Sequence, residues 1–338
     1  MNIAISAVKP ELSADLLSDT QPLYERVKRV IPPFEWPIHA PLVHEINQLK
    51  RDRNAVILAH NYMTPEIYHC VSDIVGDSLA LARQAAATDS KVIVLAGVHF
   101  MAETAKLLNP GKIVLMPDLA AGCSLASSIT GADVRDLRAK YPGVPVVAYV
   151  NTSAEVKAES DICCTSGNAV EVVESLGVKR AIFLPDQYLA KYVASLTQVE
   201  IIPWPGQCEV HERFTATEIQ TYASSHDGLI VLAHPECTPD VLSVADYVGS
   251  TARMIEFVRR EQPTKVMLVT ECSMSDNVAV EFPNIEFVRP CNLCQYMKRI
   301  TLTNIRDSLI SLQPRIEIDP AIAARARQAV ERMIAIGK

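Results

Sequence analysis

No apolar run in this 338-residue sequence approaches the roughly 20 residues that a membrane span needs. Positive charge is in deficit: 32 Lys and Arg face 39 Asp and Glu, for a formal net charge of −7. Aromatic residues are sparse at 6%, and no basic stripe interleaves them, so nucleic acid is not an expected partner. Anionic ligands would need local positive fields to offset the overall charge. The stretch from Met1 to about Pro37 lacks the basic start and apolar core of a secretion signal, and a cytosolic location without membrane attachment is expected. What is present is a 49% hydrophobic, 21% charged chain with room for two or three domains. It also holds nine cysteines, which in a long cytosolic chain argue for metal or redox chemistry over structural disulfides.

Three of those cysteines recur in one local context. Cys123, Cys208 and Cys294 lie 85 and 86 residues apart. Each follows, by 50, 47 and 48 residues, an Asp that opens a short apolar stretch ending five residues later in Ser or Thr. The pairs are Asp73 with Ser78, Asp161 with Ser166, and Asp246 with Thr251. One unit has been used three times, each copy delivering one thiol. Each copy starts with a helical pattern, followed by apolar runs that suit buried parallel strands. The runs begin at Ala55, Lys91 and Lys112, at Val144, Arg180 and Val199, and at Leu229, Lys265 and Ile285. The Asp-led stretch supplies a further strand per copy, and helical segments alternate with the strands. The expected fold is α/β: three pseudo-symmetric three-layer α/β/α domains, each with a parallel sheet of about four strands, around a central cavity. The boundaries read as an N-terminal extension 1–39, repeats 40–127, 128–213 and 214–300, and a C-terminal helical segment 301–338 that packs back on the body.

Ligands of open parallel sheets bind beyond the carboxyl ends of the strands, and polar residues gather there in every copy. The first strands end near His60, Asn61 and Tyr62, near Tyr149 and Asn151, and near His234 and Glu236. Ser78, Ser166 and Thr251 are placed at helix mouths, where a hydroxyl N-cap and free N–H groups suit carboxylate or phosphate, although Ser and Thr are also ordinary caps. Three thiols would leave one metal position open, which marks catalysis over structure. Buried free thiols and zinc are the competing readings. Gly122 and Gly206 before the first two cysteines permit close approach to a bulky centre. Cys291 and Cys294 form a C-x-x-C, with Cys294 matching the repeat and Cys291 poised for a reversible disulfide with it. Cys70, Cys163, Cys164, Cys237 and Cys272 read as core or strand-end thiols, with Cys237 the first exception to consider. His234 and Glu236 suit proton transfer beside a carbonyl, Tyr62 and Tyr149 add phenolic donors, and His211 can reach the same cavity. Phe100 and Met101 would wall it. His39, His44, His69 and His226 read as structural, and His99 is left open.

The segments Ala59–Tyr62, Val75–Arg83, Val98–Ala105, Ala121–Ala126, Ala148–Thr152, Cys164–Ala169, Pro205–His211, Ala233–Cys237, Val248–Thr251 and Cys294–Lys298 together resemble the quinolinate synthase family of de novo NAD biosynthesis. That resemblance implies an enzyme, a transferase, with a [4Fe–4S] cluster held by Cys123, Cys208 and Cys294. The implied reaction condenses iminoaspartate with dihydroxyacetone phosphate, losing phosphate and two waters to give quinolinate. It implies substrate contacts by His60, Ser78, Met101, Tyr149, Asn151, Ser166, His211, His234, Glu236 and Thr251. Tyr62, Tyr149, His234 and Glu236 are the candidates for catalysis, and an L-aspartate oxidase is the implied source of iminoaspartate. The rival readings are another iron–sulfur hydro-lyase on a small dicarboxylate, a cluster-based redox sensor, and a zinc-binding structural protein. The N-terminal extension is not explained by the resemblance.

Overall fold

The computed structural model describes residues 14–336. The first thirteen residues of the segment 1–39 and the last two of 301–338 lie outside the described residues. Among the described residues, twelve strands form three parallel four-stranded sheets. The first sheet holds β1 (Ala55–His60), β2 (Ile74–Gly76), β3 (Val92–Ala96) and β4 (Ile113–Leu115). The second holds β5 (Val146–Tyr149), β6 (Ile162–Cys164), β7 (Arg180–Leu184) and β8 (Glu200–Pro203). The third holds β9 (Leu229–Ala233), β10 (Tyr247–Val248), β11 (Lys265–Val269) and β12 (Glu286–Val288). The strand order repeats without change: β2-β1-β3-β4, β6-β5-β7-β8 and β10-β9-β11-β12.

The recurrent Asp now has a physical role. Asp73 Oδ2 accepts the Ile57 N–H at 2.9 Å, while the Asp73 N–H donates to the Ile57 carbonyl. Asp161 does the same with Val146, and Asp246 with Val231. Each Asp thus fastens the start of a short edge strand to the first strand of its unit, supplying an acceptor that the two-to-three-residue ladder cannot.

The apolar runs are continuous because both sheet faces are covered. In β9, Leu232 packs into the main core while Val231 and Ala233 point into a separate cluster with Val241 and Phe214. In β11, Val266 and Leu268 face the main core, and Met267 and Val269 the other side. The main core draws on all three sheets, through Ile57 and Val94, Phe183, and Leu232 and Leu268. The C-terminal helix Pro320–Ala335, started by an Asp319 N-cap, packs against helix Ala154–Ala158, β6 and helix His99–Leu108. Helix Leu302–Ser311 lies on helix Trp36–Arg53. No helix of the described residues is long and apolar enough to cross a membrane.

Candidate active site and metal centre

The three cysteines occupy equivalent turns. Two residues before each, a carbonyl accepts a backbone N–H from the start of the preceding helix: Ala121 from His99 at 2.8 Å and Gly206 from Gln187 at 2.9 Å, each the first helical residue, and Asn292 from the N-cap Cys272 at 3.2 Å. Each cysteine then opens a single helical turn, its carbonyl accepting from the N–H four residues on, in Ser127, Glu212 and Lys298. That geometry aims two N–H groups at every sulfur: Leu125 and Ala126 at Cys123, Val210 and His211 at Cys208, and Tyr296 and Met297 at Cys294. Burial still dominates. It pushes the Cys123 thiol up to about 12, and the Cys208 and Cys294 thiols up as well, with the N–H groups offsetting part of the rise. Cys70, Cys163, Cys164 and Cys237 are free and buried, whereas Cys123, Cys208 and Cys294 are the partly accessible free thiols.

One cavity collects these thiols. Its walls also hold His60, His211, His234, Tyr62, Tyr149, Glu236, Asn151, Ser78, Ser166, Thr251 and Met101, with Phe100 beside it. Every residue singled out for the site thus lines a single cavity, fed from the strand ends of all three sheets. His60 and His234 sit in matched turns: each Nδ1 accepts the N–H two residues on, from Tyr62 at 3.2 Å and from Glu236 at 3.3 Å. With Nδ1 committed as acceptor, the neutral rings carry their proton on Nε2. Burial pulls both imidazoles down to about 3, against the pull of Glu236.

Glu236 is the hub. Its Oε2 lies 2.7 Å from His211 Nδ1, and its Oε1 accepts the Tyr149 hydroxyl at 2.5 Å. Burial opposes its charge, but His211 and His234, with the hydrogen bonds from His211 and Tyr149, hold the carboxyl well below the usual range. His211 stacks on His234 with ring centroids 4.6 Å apart. His211 Nε2 is 2.9 Å from Thr270 Oγ1, which is 2.6 Å from the Tyr62 hydroxyl. A chain of hydrogen bonds therefore runs Tyr62–Thr270–His211–Glu236–Tyr149. Burial, reinforced by Glu236, raises both phenols well above their ordinary value. Asn151 Oδ1 is buried without a partner, an acceptor left for something in the cavity.

Several expectations need correction. The hydroxyls of Ser78 and Thr251 are not the N-caps. Asp77 caps helix Ser78–Ala87 through the Ala80 N–H, and Ser250 caps helix Thr251–Glu261 through the Arg253 N–H. The cap needs extended backbone, which Asp77 and Ser250 have, so Ser78 and Thr251 stand one position inside with their hydroxyls at the cavity. Ser166 precedes a helix that begins at Ala169 after Asn168. Cys291 pairs with Cys272 in a disulfide, with Cα atoms 4.8 Å apart, and not with Cys294. The Cys272 N–H bonds Asn292 beside Cys291, whereas the Cys294 N–H is held by Glu271 and its thiol faces the cavity. Gly206 is required by a different neighbour: a Cβ there would run into the Pro185 carbonyl and Ser128 Oγ. Cys237 is buried outside the cavity with Sγ 3.6 Å from the Val269 carbonyl, and His99 sits near Glu103, also outside.

Sequence reasoning missed Thr270, Glu271 and Lys298. Glu271 is fully buried. Its Oε1 accepts from Lys298 Nζ at 2.9 Å and from the Cys294 N–H at 3.3 Å, and its Oε2 from the Ser273 N–H. Lys298 also donates to the Tyr62 carbonyl and Ser273 Oγ. The available signal was position. Thr270 and Glu271 follow the third strand of the third unit, where ligand groups of parallel sheets collect, and Lys298 stands four after a cysteine.

Cys208, His211 and Glu236 offer donor atoms within 4.8 Å of one another, close enough for one metal ion, while Cys123 and Cys294 stand outside that group. Three parallel sheets that bring thiols, imidazoles, phenols and a carboxylate to one buried cavity define an α/β protein with a candidate metal centre inside an active-site-like pocket. Residues 44–335 match the family described as Quinolinate synthetase A protein. Quinolinate synthase 2 of Mesorhizobium japonicum is 67% identical over 314 residues, covering 93% of this chain and 97% of that one. Quinolinate synthase of Agrobacterium fabrum is 66% identical over 314 residues (93% and 91%), and that of Xylella fastidiosa 63% over 294 residues (87% of each). The chain belongs to the quinolinate synthase family, a family of enzymes.

Proposed function

We propose that this chain is a cytosolic transferase that condenses iminoaspartate with dihydroxyacetone phosphate, releasing phosphate and two waters to form quinolinate. Cys123, Cys208 and Cys294 would hold a [4Fe–4S] cluster in this reading. The observation that carries it is the set of three matched turns, one per sheet, each aiming two N–H groups at a thiol on the same cavity. Cys123 and Cys294 stand outside the single-ion group, which favours a larger centre shared by the three thiols. When bound, the cluster supplies a Lewis-acidic iron with an open position. In the same reading the repeats 40–127, 128–213 and 214–300 are pseudo-symmetric units around the cavity, and an L-aspartate oxidase supplies the iminoaspartate.

The chain's own groups then divide the work. Both substrates are anions, and His60 and His234 offer Nε2–H donors from neutral rings. The hydroxyls of Ser78, Ser166 and Thr251 and the side chain of Asn151 add polar contacts for carboxylate and phosphate, and Met101 closes an apolar wall. Glu236, ionised and buried, is the base; once it has taken a proton from the substrate it can pass one to Tyr149 across their hydrogen bond as the phenol gives its own to a leaving oxygen. Tyr62, kept protonated by burial, is linked through Thr270 to His211, so that a proton it gives to the substrate can be replaced along that chain. The low-polarity cavity strengthens each of these interactions.

The test begins with anaerobic purification and assay of iron and acid-labile sulfide. The expected result is about four of each per chain, lost in Cys123→Ser, Cys208→Ser and Cys294→Ser. Quinolinate and phosphate should then form together from the two substrates. Turnover of a dicarboxylate without phosphate release would favour a hydro-lyase instead.

A further inference from the structure

We propose that the cluster-free chain carries a second kind of metal site, a mononuclear one for Zn²⁺ and similar ions, built from Cys208 Sγ, His211 Nδ1 and Glu236 Oε2. Because Cys208 also belongs to the proposed cluster set, a zinc ion here and the cluster exclude each other. The exclusion rests on the cluster reading above; the mononuclear site does not.

Three donors of different chemistry meet at one point. His211 Nδ1 is 3.3 Å from Cys208 Sγ and 2.7 Å from Glu236 Oε2, and all three donor atoms lie within 4.8 Å of one another. Around a tetrahedral zinc, bonds of about 2.0 to 2.3 Å put donors roughly 3.3 to 3.8 Å apart. The observed set reaches that geometry with shifts of about 1 Å. Cys123 and Cys294 are not in the group.

The outer contacts are those a zinc site needs. A ligating histidine usually donates its other N–H to an oxygen that fixes the ring, and a ligating carboxylate is itself hydrogen-bonded. Here His211 Nε2 faces Thr270 Oγ1 at 2.9 Å, and Glu236 Oε1 holds the Tyr149 hydroxyl. On binding, the metal takes Nδ1 and the one remaining ring proton sits on Nε2, accepted by Thr270; the Cys208 proton passes to solvent. Thiolate and carboxylate together neutralise the dication, so no net charge is buried. Burial and Glu236 disfavour the Cys208 thiolate in the empty site, the Val210 and His211 N–H groups offset part of that, and the bound cation would supply the rest. A fourth position remains toward the cavity, open to water or an anionic ligand.

The experiment uses the full-length chain, cluster-free and anaerobic, titrated with Co²⁺ as a spectroscopic probe and then with Zn²⁺ in competition. The expected result is one tetrahedral Co²⁺ per chain with a thiolate charge-transfer band. Cys208→Ser, His211→Ala and Glu236→Gln should weaken binding about a hundredfold, and Thr270→Val on the order of tenfold. Cys123→Ser and Cys294→Ser should leave it nearly unchanged, although both abolish the cluster. Dependence on Cys123 and Cys294 equal to that on Cys208 would overturn the site. X-ray absorption on the zinc-loaded wild-type chain tests it without any variant: one sulfur with nitrogen and oxygen donors supports it, three sulfurs refute it. Preloaded Zn²⁺ should block iron–sulfur reconstitution until a chelator removes it. A mononuclear site confirmed by the variants but without effect on reconstitution would refute the exclusion while leaving the site standing.

Discussion

At Glu271 a fully buried carboxylate ties three things together: the Lys298 ammonium, the Ser273 N–H and the N–H of Cys294. Burial raises its carboxyl, and Lys298 opposes that rise. Glu271→Gln keeps the shape but leaves the Lys298 ammonium without its counter-charge and loosens the turn that presents Cys294. The expected loss is about 3 kcal/mol, read by denaturant unfolding, together with lower iron content after purification. A variant with wild-type stability and full iron would show that Cys294 needs no such clamp. Glu236 calls for a different measurement. Glu236→Gln removes the base but no cysteine, so the cluster should assemble while turnover falls by roughly 10² to 10⁴-fold. Near-full turnover with an intact cluster would remove Glu236 from the chemistry. These two acids differ in legibility. Glu236 stands beside His234 at a strand end and could be read directly, whereas Glu271 has its meaning only through Lys298, 27 residues away in the chain.

Among the elements, the short edge strands and the cysteine turns are where small changes should have large effects. β2, β6 and β10 are two or three residues long and depend on their leading Asp. Asp161→Ala leaves the Val146 N–H without its side-chain acceptor and also removes the Arg138 ion pair. It should cost about 1 to 2 kcal/mol in chemical denaturation, and an unchanged midpoint would make the recurrent Asp decorative. Gly206→Ala acts one level up. Its Cβ meets the Pro185 carbonyl, a backbone atom that cannot swing aside, so the loop carrying Cys208 must move. Cluster content should drop while circular dichroism keeps its α/β shape; full cluster content would show that the loop tolerates the shift. The strands, helices and Asp offsets were legible because each follows from local pattern. The caps were not, since Asp77 and Ser78, or Ser250 and Thr251, are adjacent residues of equal capping chemistry, and only backbone angles separate them.

For the molecule as a whole, three buried histidines set the response to acid. Burial lowers His60 and His234 to about 3 and His69 to about 4. In the unfolded chain they titrate near 6.5, so as pH falls the unfolded state takes up protons first. The stability they contribute is complete above about pH 6.5 and is lost as pH falls toward their folded values, by up to about 1.4 kcal/mol per unit for each. Glu236, lowered in the folded state, adds a loss below its ordinary value, in the same direction. The melting temperature should therefore fall between about pH 7.5 and pH 5.5, and less steeply in His69→Gln; equal melting temperatures across that range would contradict the buried neutral state. The sequence by itself determined the α/β class, three sets of about four parallel strands and the thiols at matched offsets, because periodicity and spacing are local properties. Only the tertiary structure decided which groups touch. It joined Tyr62 to His211 through Thr270, bonded Cys291 to Cys272 instead of Cys294, and brought Glu236 to His211. Those contacts join separate units, or different turns of one unit, and their distances depend on how the sheets pack, which no spacing within a single strand or helix encodes.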